Sequence, residues 1–138
     1  MAPTLYEILG ITPPRVVNGQ EQIKIDGTSF AYTLTDGSAA PKKQIQFFDN
    51  NGSRGIYQDG WFAAAFGAFI PWNTPASAPR VANWDSATDP WELYNLKEDF
   101  SQADDLSSKM PQKLAELKKE FLALAEDNKL YGDRKSVV

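Results

Sequence analysis

Apolar residues recur along the chain with two different periods. Leu114, Leu117, Phe121 and Leu124 are spaced as one face of a 3.6-residue helix, and Lys113, Glu116, Lys118, Lys119, Glu120 and Glu126 fill the remaining surface. Pro111 suits a first helical turn, so the pattern predicts a helix over Pro111–Asn128. A shorter stripe of Leu5, Ile8 and Leu9 predicts a helix over Pro3–Leu9, with Gly10 where a left-handed cap belongs.

The middle of the chain reads as strands. Gln44–Asp49 carries Ile45, Phe47 and Phe48, and Arg54–Gln58 carries Ile56 and Tyr57. Asn50-Asn51-Gly52 between them is a hairpin signal, because Asn and Gly tolerate positive φ. Asp59-Gly60 is a second such turn and leads into a third strand, Trp61–Gly67. Trp91–Leu96 reads as a fourth. The expected fold is α+β: a four-stranded antiparallel sheet with the Pro111–Asn128 helix across one face. The expected core is Phe47, Ile56, Phe62, Phe66, Leu93, Leu96, Leu106, Leu114, Leu117, Phe121 and Leu124.

The remainder reads as connection. Ile11–Ser38 is punctuated by Pro13-Pro14, Asn18-Gly19, Asp26-Gly27 and Asp36-Gly37, and Ser29–Leu34 fits a helical turn and a short strand equally well. Ala68–Pro90 is expected to be irregular, because Pro71, Pro75, Pro79 and Pro90 interrupt regular ladders. Asp99–Ser108 reads as a turn, and Gly132–Val138 as a frayed tail. With 138 residues, one domain over 1–138 is expected: a helix and loops over 1–41, the sheet region over 42–96, and the last helix and tail over 97–138.

The third strand breaks the alternation expected of a half-wet strand. Trp61 to Trp72 holds no charged residue, and both faces of the strand are apolar. One long helix covers one face of a sheet, so the other needs cover from the Ile11–Leu34 loops, a second copy or a larger body. Trp61, Phe62, Phe66, Phe69 and Trp72 are the interface candidates.

Composition narrows the chemistry. The chain contains no Cys and no His. Disulfides, thiolate metal sites, cysteine nucleophiles and every triad built on histidine are therefore excluded. The net charge is −4, from 14 basic and 18 acidic residues, which argues against nucleic acid and anionic membrane as partners. The apolar stretch from Trp61 to Trp72 is far below the roughly 20 residues of a membrane span. With no basic stretch followed by an apolar core at its start, the chain as given is expected to be cytoplasmic.

Candidate chemical motifs resolve into structural ones. Glu98-Asp99 and Asp104-Asp105 fit a solvated turn better than a catalytic carboxylate pair. Asp49 to Gly60 fails as a calcium loop, because its glycine falls at the fourth position and its twelfth residue is Gly60. Asn51-Gly52-Ser53 matches a glycan acceptor pattern that is idle without secretion. Arg54 and Arg80 are potential anion donors, and both are expected to be solvated surface residues. The expectation is no catalytic residue, no cofactor-binding residue and no metal ligand.

Several segments, in chain order, resemble one family. Pro3-Thr4-Leu5-Tyr6-Glu7-Ile8-Leu9-Gly10-Ile11 is similar to the PTL-x-EL-x-GI helix of bacterial arylsulfatases, and Asp26-Gly27-Thr28-Ser29 resembles the DG-x-S element after it. Gln46-Phe47-Phe48 with Gly52-Ser53-Arg54-Gly55-Ile56-Tyr57-Gln58-Asp59-Gly60-Trp61 resembles the QYFE…GNR-x-IYHDGW hairpin, with Gln58 where the family often has His. Trp91-Glu92-Leu93-Tyr94-Asn95-Leu96, followed by Glu98-Asp99 and Asp104-Asp105-Leu106, is similar to the WELYNL segment and its acidic sequel. Met110 stands where Asn often caps the last helix, so a capping interaction of about 1 kcal/mol is expected to be missing.

The resemblance maps onto the C-terminal subdomain of that family. The family's catalytic domain carries the Cys-x-Pro-Ser-Arg motif whose Cys becomes formylglycine, the calcium ligands, and the Lys and His residues that hold sulfate. None of these motifs occurs here, so no catalytic role is carried over. The resemblance implies a non-catalytic fragment of a sulfuric ester hydrolase, inactive alone, that packs on a separate sulfatase catalytic domain or self-associates. The alternative is a stand-alone structural or binding protein, homo-oligomeric, that reuses this subdomain. The parent family is periplasmic or cytoplasmic.

Overall fold

A computed structural model of the chain describes residues 1–70 and 72–130. The expected frayed tail, Gly132–Val138, and Pro71 lie outside the described residues. Two compact units are resolved by their internal contacts, Met1–Lys43 and Gln44–Val138.

The first unit begins with α1 (Ala2–Ile8). Gly10 has φ +63°, and the Gly10 and Ile11 N–H groups donate back to the Glu7 and Tyr6 carbonyls at 3.2 and 2.9 Å. This is the Schellman arrangement the Leu-Gly sequence called for. Asn18 and Gly19, at φ 51° and 76°, turn a short ribbon of β1 (Val16–Val17) and β2 (Gln20–Glu21). The ambiguous Ser29–Leu34 stretch contains a 3-10 turn, Ala31–Leu34, and the Phe30 N–H donates to the Thr4 hydroxyl at 3.2 Å.

The second unit holds an antiparallel sheet in chain order: β3 (Ile45–Asn50), β4 (Ser53–Gln58), β5 (Trp61–Ala65) and β6 (Glu92–Asn95). The register pairs Asn50 with Ser53 and Gln58 with Trp61, so Asn51-Gly52 and Asp59-Gly60 are two-residue loops. All four loop residues have positive φ, from 48° to 88°, which is the type I′ geometry that matches strand twist. Gly52 is required a second time, because a Cβ there would fall 2.4 Å from the Trp84 ring.

The same register sorts the side chains. Ile45, Phe47, Ile56, Trp61, Ala63 and Leu93 share the face covered by α3 (Pro111–Asp127). Leu117 and Phe121 are fully buried there, each contributing about 2–3 kcal/mol through apolar burial. Phe121 meets the rings of Phe47 and Trp91 edge-on, with centroids 6.1 and 5.5 Å away. Met110 precedes α3 without any side-chain cap, as the sequence led one to expect.

The structure corrects two readings here. The 68–90 connection is not wholly irregular: Thr74–Ala82 forms α2, and Ser86–Thr88 a 3-10 turn. Pro75 occupies the first turn, where no N–H is needed, and the Asn73 side chain accepts from the Ala76 N–H at 3.3 Å. Pro79 lies inside the helix and forfeits one ladder bond. The start of the helix is held independently by buried Ser77, whose hydroxyl accepts from the Ile70 N–H at 2.7 Å and lies 3.0 Å from the Asn73 carbonyl it donates to. The second correction is Phe66. It is 72% exposed and outside the core, because β5 ends at Ala65. Phe62 is half-buried on the sheet face opposite α3, also apart from the α3-side core.

Candidate functional site

The sheet face opposite α3 is built by alternation. Phe48, Gly55, Phe62, Ala64 and Tyr94 lie on it, and Phe66 follows at the end of β5. Phe48 and Phe62 meet edge to face with centroids 6.3 Å apart, yet Phe48 remains 51% exposed. Gly55 lies beneath Phe62, and a Cβ there would sit 3.2 Å from the ring, so the missing side chain sets the depth of the surface. These residues line a broad concavity of about 770 Å³.

Tyr94 and Glu92 form a polar pair on its border. Tyr94 is buried and donates its hydroxyl to Glu92 at 3.0 Å. Burial first, then the hydrogen bond and charge of Glu92, push the Tyr94 hydroxyl up to about 12. At neutral pH it is a neutral donor, unsuited to act as a base.

On the α3 side of the same strand, Arg54 departs from the sequence expectation. Arg54 was expected in solvent. It is 8% exposed, because it shares the parity of Ile56 and faces inward from β4. Its guanidinium donates to the Ser86 carbonyl at 3.1 Å and pairs with Asp89. It also lies 5.9 and 5.5 Å from the Trp84 and Trp91 ring centres. Trp84 donates its indole N–H to the same Asp89 carboxylate at 2.9 Å. Arg80, by contrast, is exposed in the last turn of α2.

The two acidic pairs hold turns together. Asp99 accepts from the Ser101 hydroxyl at 2.6 Å and the Asp104 N–H at 2.9 Å. Asp105 accepts from the Leu93 N–H at 3.0 Å and the Ser107 N–H at 2.8 Å. These bonds hold both carboxyl groups below their ordinary range.

No protein-family model matches the chain, and no curated protein matches it either. Solved structures do match. One is a sulfatase of Bacteroides thetaiotaomicron, from a core genetic locus for the metabolism of multiple glycosaminoglycans. It aligns at 17% identity with a TM-score of 0.59, over 88% of this chain and 23% of its own. The fold is sulfatase-like.

This chain thus spans less than a quarter of that sulfatase's length. The groups implied by the sulfatase resemblance do not fit the residues present. The Cys-x-Pro-Ser-Arg motif that carries formylglycine in the resembling family does not occur in the sequence, which has no Cys. Among the described residues no three or more acidic side chains converge into a cage for a cation. No described helix is long and apolar enough to cross a membrane.

The interface candidates divide on this sulfatase-like fold. Phe62 and Phe66 belong to the open face, Phe66 at 72% exposure. Trp61 packs against the α3-side core, Phe69 is half-buried, and Trp72 is 86% exposed. Residues missed by the sequence reading are Phe48, Tyr94, Trp84 and Asp89. Phe48 and Tyr94 follow from strand parity once the hairpin register is known; Trp84 and Asp89 do not, because they meet Arg54 through tertiary contacts 30 and 35 residues away in sequence.

Proposed function

We propose that this chain is a non-catalytic sulfatase subdomain, equivalent to the C-terminal one, that packs its open aromatic face against a sulfatase catalytic domain. The single observation that carries this reading is the uncovered set Phe48, Phe62 and Phe66 on a sheet face whose opposite side is already filled by α3. Apolar surface of this kind is stabilised by removal from water at about 25 cal/mol per Å². Calcium and formylglycine chemistry belong to the catalytic partner, and this chain's role is to complete its scaffold.

The test is association in trans. Mixing the full chain with a separately produced sulfatase catalytic domain from the same source is expected to give a stable complex with one catalytic domain per copy of the chain by light scattering. The complex is expected to release sulfate from an aryl sulfate ester with calcium present, and the chain alone to release none. Activity from the chain alone, or no association, contradicts the proposal.

A further inference from the structure

The two edges of the sheet are treated differently. In a two-residue hairpin the residues flanking the loop exchange hydrogen bonds, so Asn50, Phe48 and Gln46 bond toward β4. The backbone groups of Ile45, Phe47 and Asp49 therefore point away from the sheet. At the other edge, the outward groups of Leu93 are satisfied, its N–H by Asp105 at 3.0 Å and its carbonyl by the Leu106 N–H at 2.8 Å. At β3 the only such satisfaction among the described residues is the Gln46 side-chain amide on the Phe47 carbonyl, at 2.6 Å. An edge strand of six residues carrying Ile45 and Phe47 is a template for another strand.

The flanking charges say which strand fits. Basic Lys42 and Lys43 precede β3, and acidic Asp49 lies near its end. Two such strands run antiparallel across a two-fold axis place Lys43 opposite Asp49 of the other copy and Ile45 opposite Phe47, twice each by symmetry. The odd-numbered residues then form the hydrogen-bonded pairs, matching the groups left free. Asp49, whose carboxyl burial holds above its ordinary range despite the opposing charge of Arg54, gains a second cation there.

We infer that β3 is a self-pairing edge: two copies of this chain join β3 to β3 in antiparallel register centred on Gln46, giving a continuous eight-stranded sheet. The inference is independent of the docking reading, since it uses the strand edge and leaves the aromatic face free.

Sedimentation equilibrium of the full chain tests it. The expected result is a closed dimer. Lys43→Glu, which lies outside the strand, is expected to weaken it at least tenfold while the circular dichroism spectrum is unchanged. Asp49→Lys is expected to do the same, and combining Lys43→Glu with Asp49→Lys to restore dimerisation. A monomer at all concentrations, an open polymer, or a dimer indifferent to Lys43→Glu overturns the inference; should Asp49→Lys fail to fold, Lys43→Glu alone decides.

Discussion

Arg54 and Asp89 form an ion pair inside the protein, with 7% and 11% of their side chains exposed. The pair joins the second strand of the sheet to the end of the 66–90 excursion, and the Trp84 indole closes it from the other side. An interior charge left alone costs far more than the pair contributes, so the two residues are expected to behave as a unit.

Arg54→Leu is accordingly expected to destabilise the fold by about 3–5 kcal/mol, because it strands the Asp89 carboxylate. Adding Asp89→Leu is expected to recover much of that loss. Urea unfolding of the wild type, both single variants and the double variant measures the coupling, and additive losses contradict it.

The sheet's sealed edge makes its own prediction. Asp105→Ala removes the acceptor of the Leu93 N–H and is expected to cost about 1–2 kcal/mol at neutral pH. Hydrogen bonds from Leu93 and Ser107 hold the Asp105 carboxyl below its ordinary 3.8. Its contribution is therefore fully present above pH 3.8 and is lost as pH falls through the depressed value. The gap between wild type and variant in thermal melts is expected to close in strong acid.

Tyr94 has the opposite sign. Its hydroxyl ionises near 10 when unfolded and near 12 when folded, so the contribution is intact below pH 10 and disappears between pH 10 and 12. Tyr94→Phe loses one hydrogen bond to Glu92, about 1 kcal/mol at neutral pH, and is expected to flatten the alkaline loss relative to wild type. Parallel melts of the two proteins up to pH 12 measure it.

Both ends of α3 can be improved. Met110→Asn supplies an absent N-cap and is expected to add about 1 kcal/mol. Lys129 sits at φ 53° in a Schellman position, with its N–H on the Glu126 carbonyl at 3.0 Å. Lys129→Gly relieves a left-handed side chain and is expected to add about 0.5–1 kcal/mol. The two ends share no contacts, so the gains are expected to add in denaturant midpoints.

The parts legible in the sequence were those where local chemistry and global fold agree. The Asn51-Gly52 and Asp59-Gly60 turns fixed the register of three strands, and the 3.6-residue spacing of Leu117 and Phe121 fixed the buried face of α3. What stayed hidden depended on tertiary partners. Thr74–Ala82 is a helix despite Pro79 because Ser77 and Asn73 secure its first turn from outside the proline pattern. The charge of Arg54 reads as surface, although its two-residue offset from Ile56 places it inward. Of the open face, Phe62 and Phe66 were legible from a strand too apolar on both sides; Phe48 needed the register as well.

The central claim is that the aromatic face opposite α3 is a docking surface. Phe66 projects from it at 72% exposure, so Phe66→Asp is expected to leave the fold and its melting temperature unchanged. The decisive measurement is the affinity of Phe66→Asp against wild type for a sulfatase catalytic domain, by titration calorimetry. The account predicts binding weakened at least tenfold; equal affinities would contradict it.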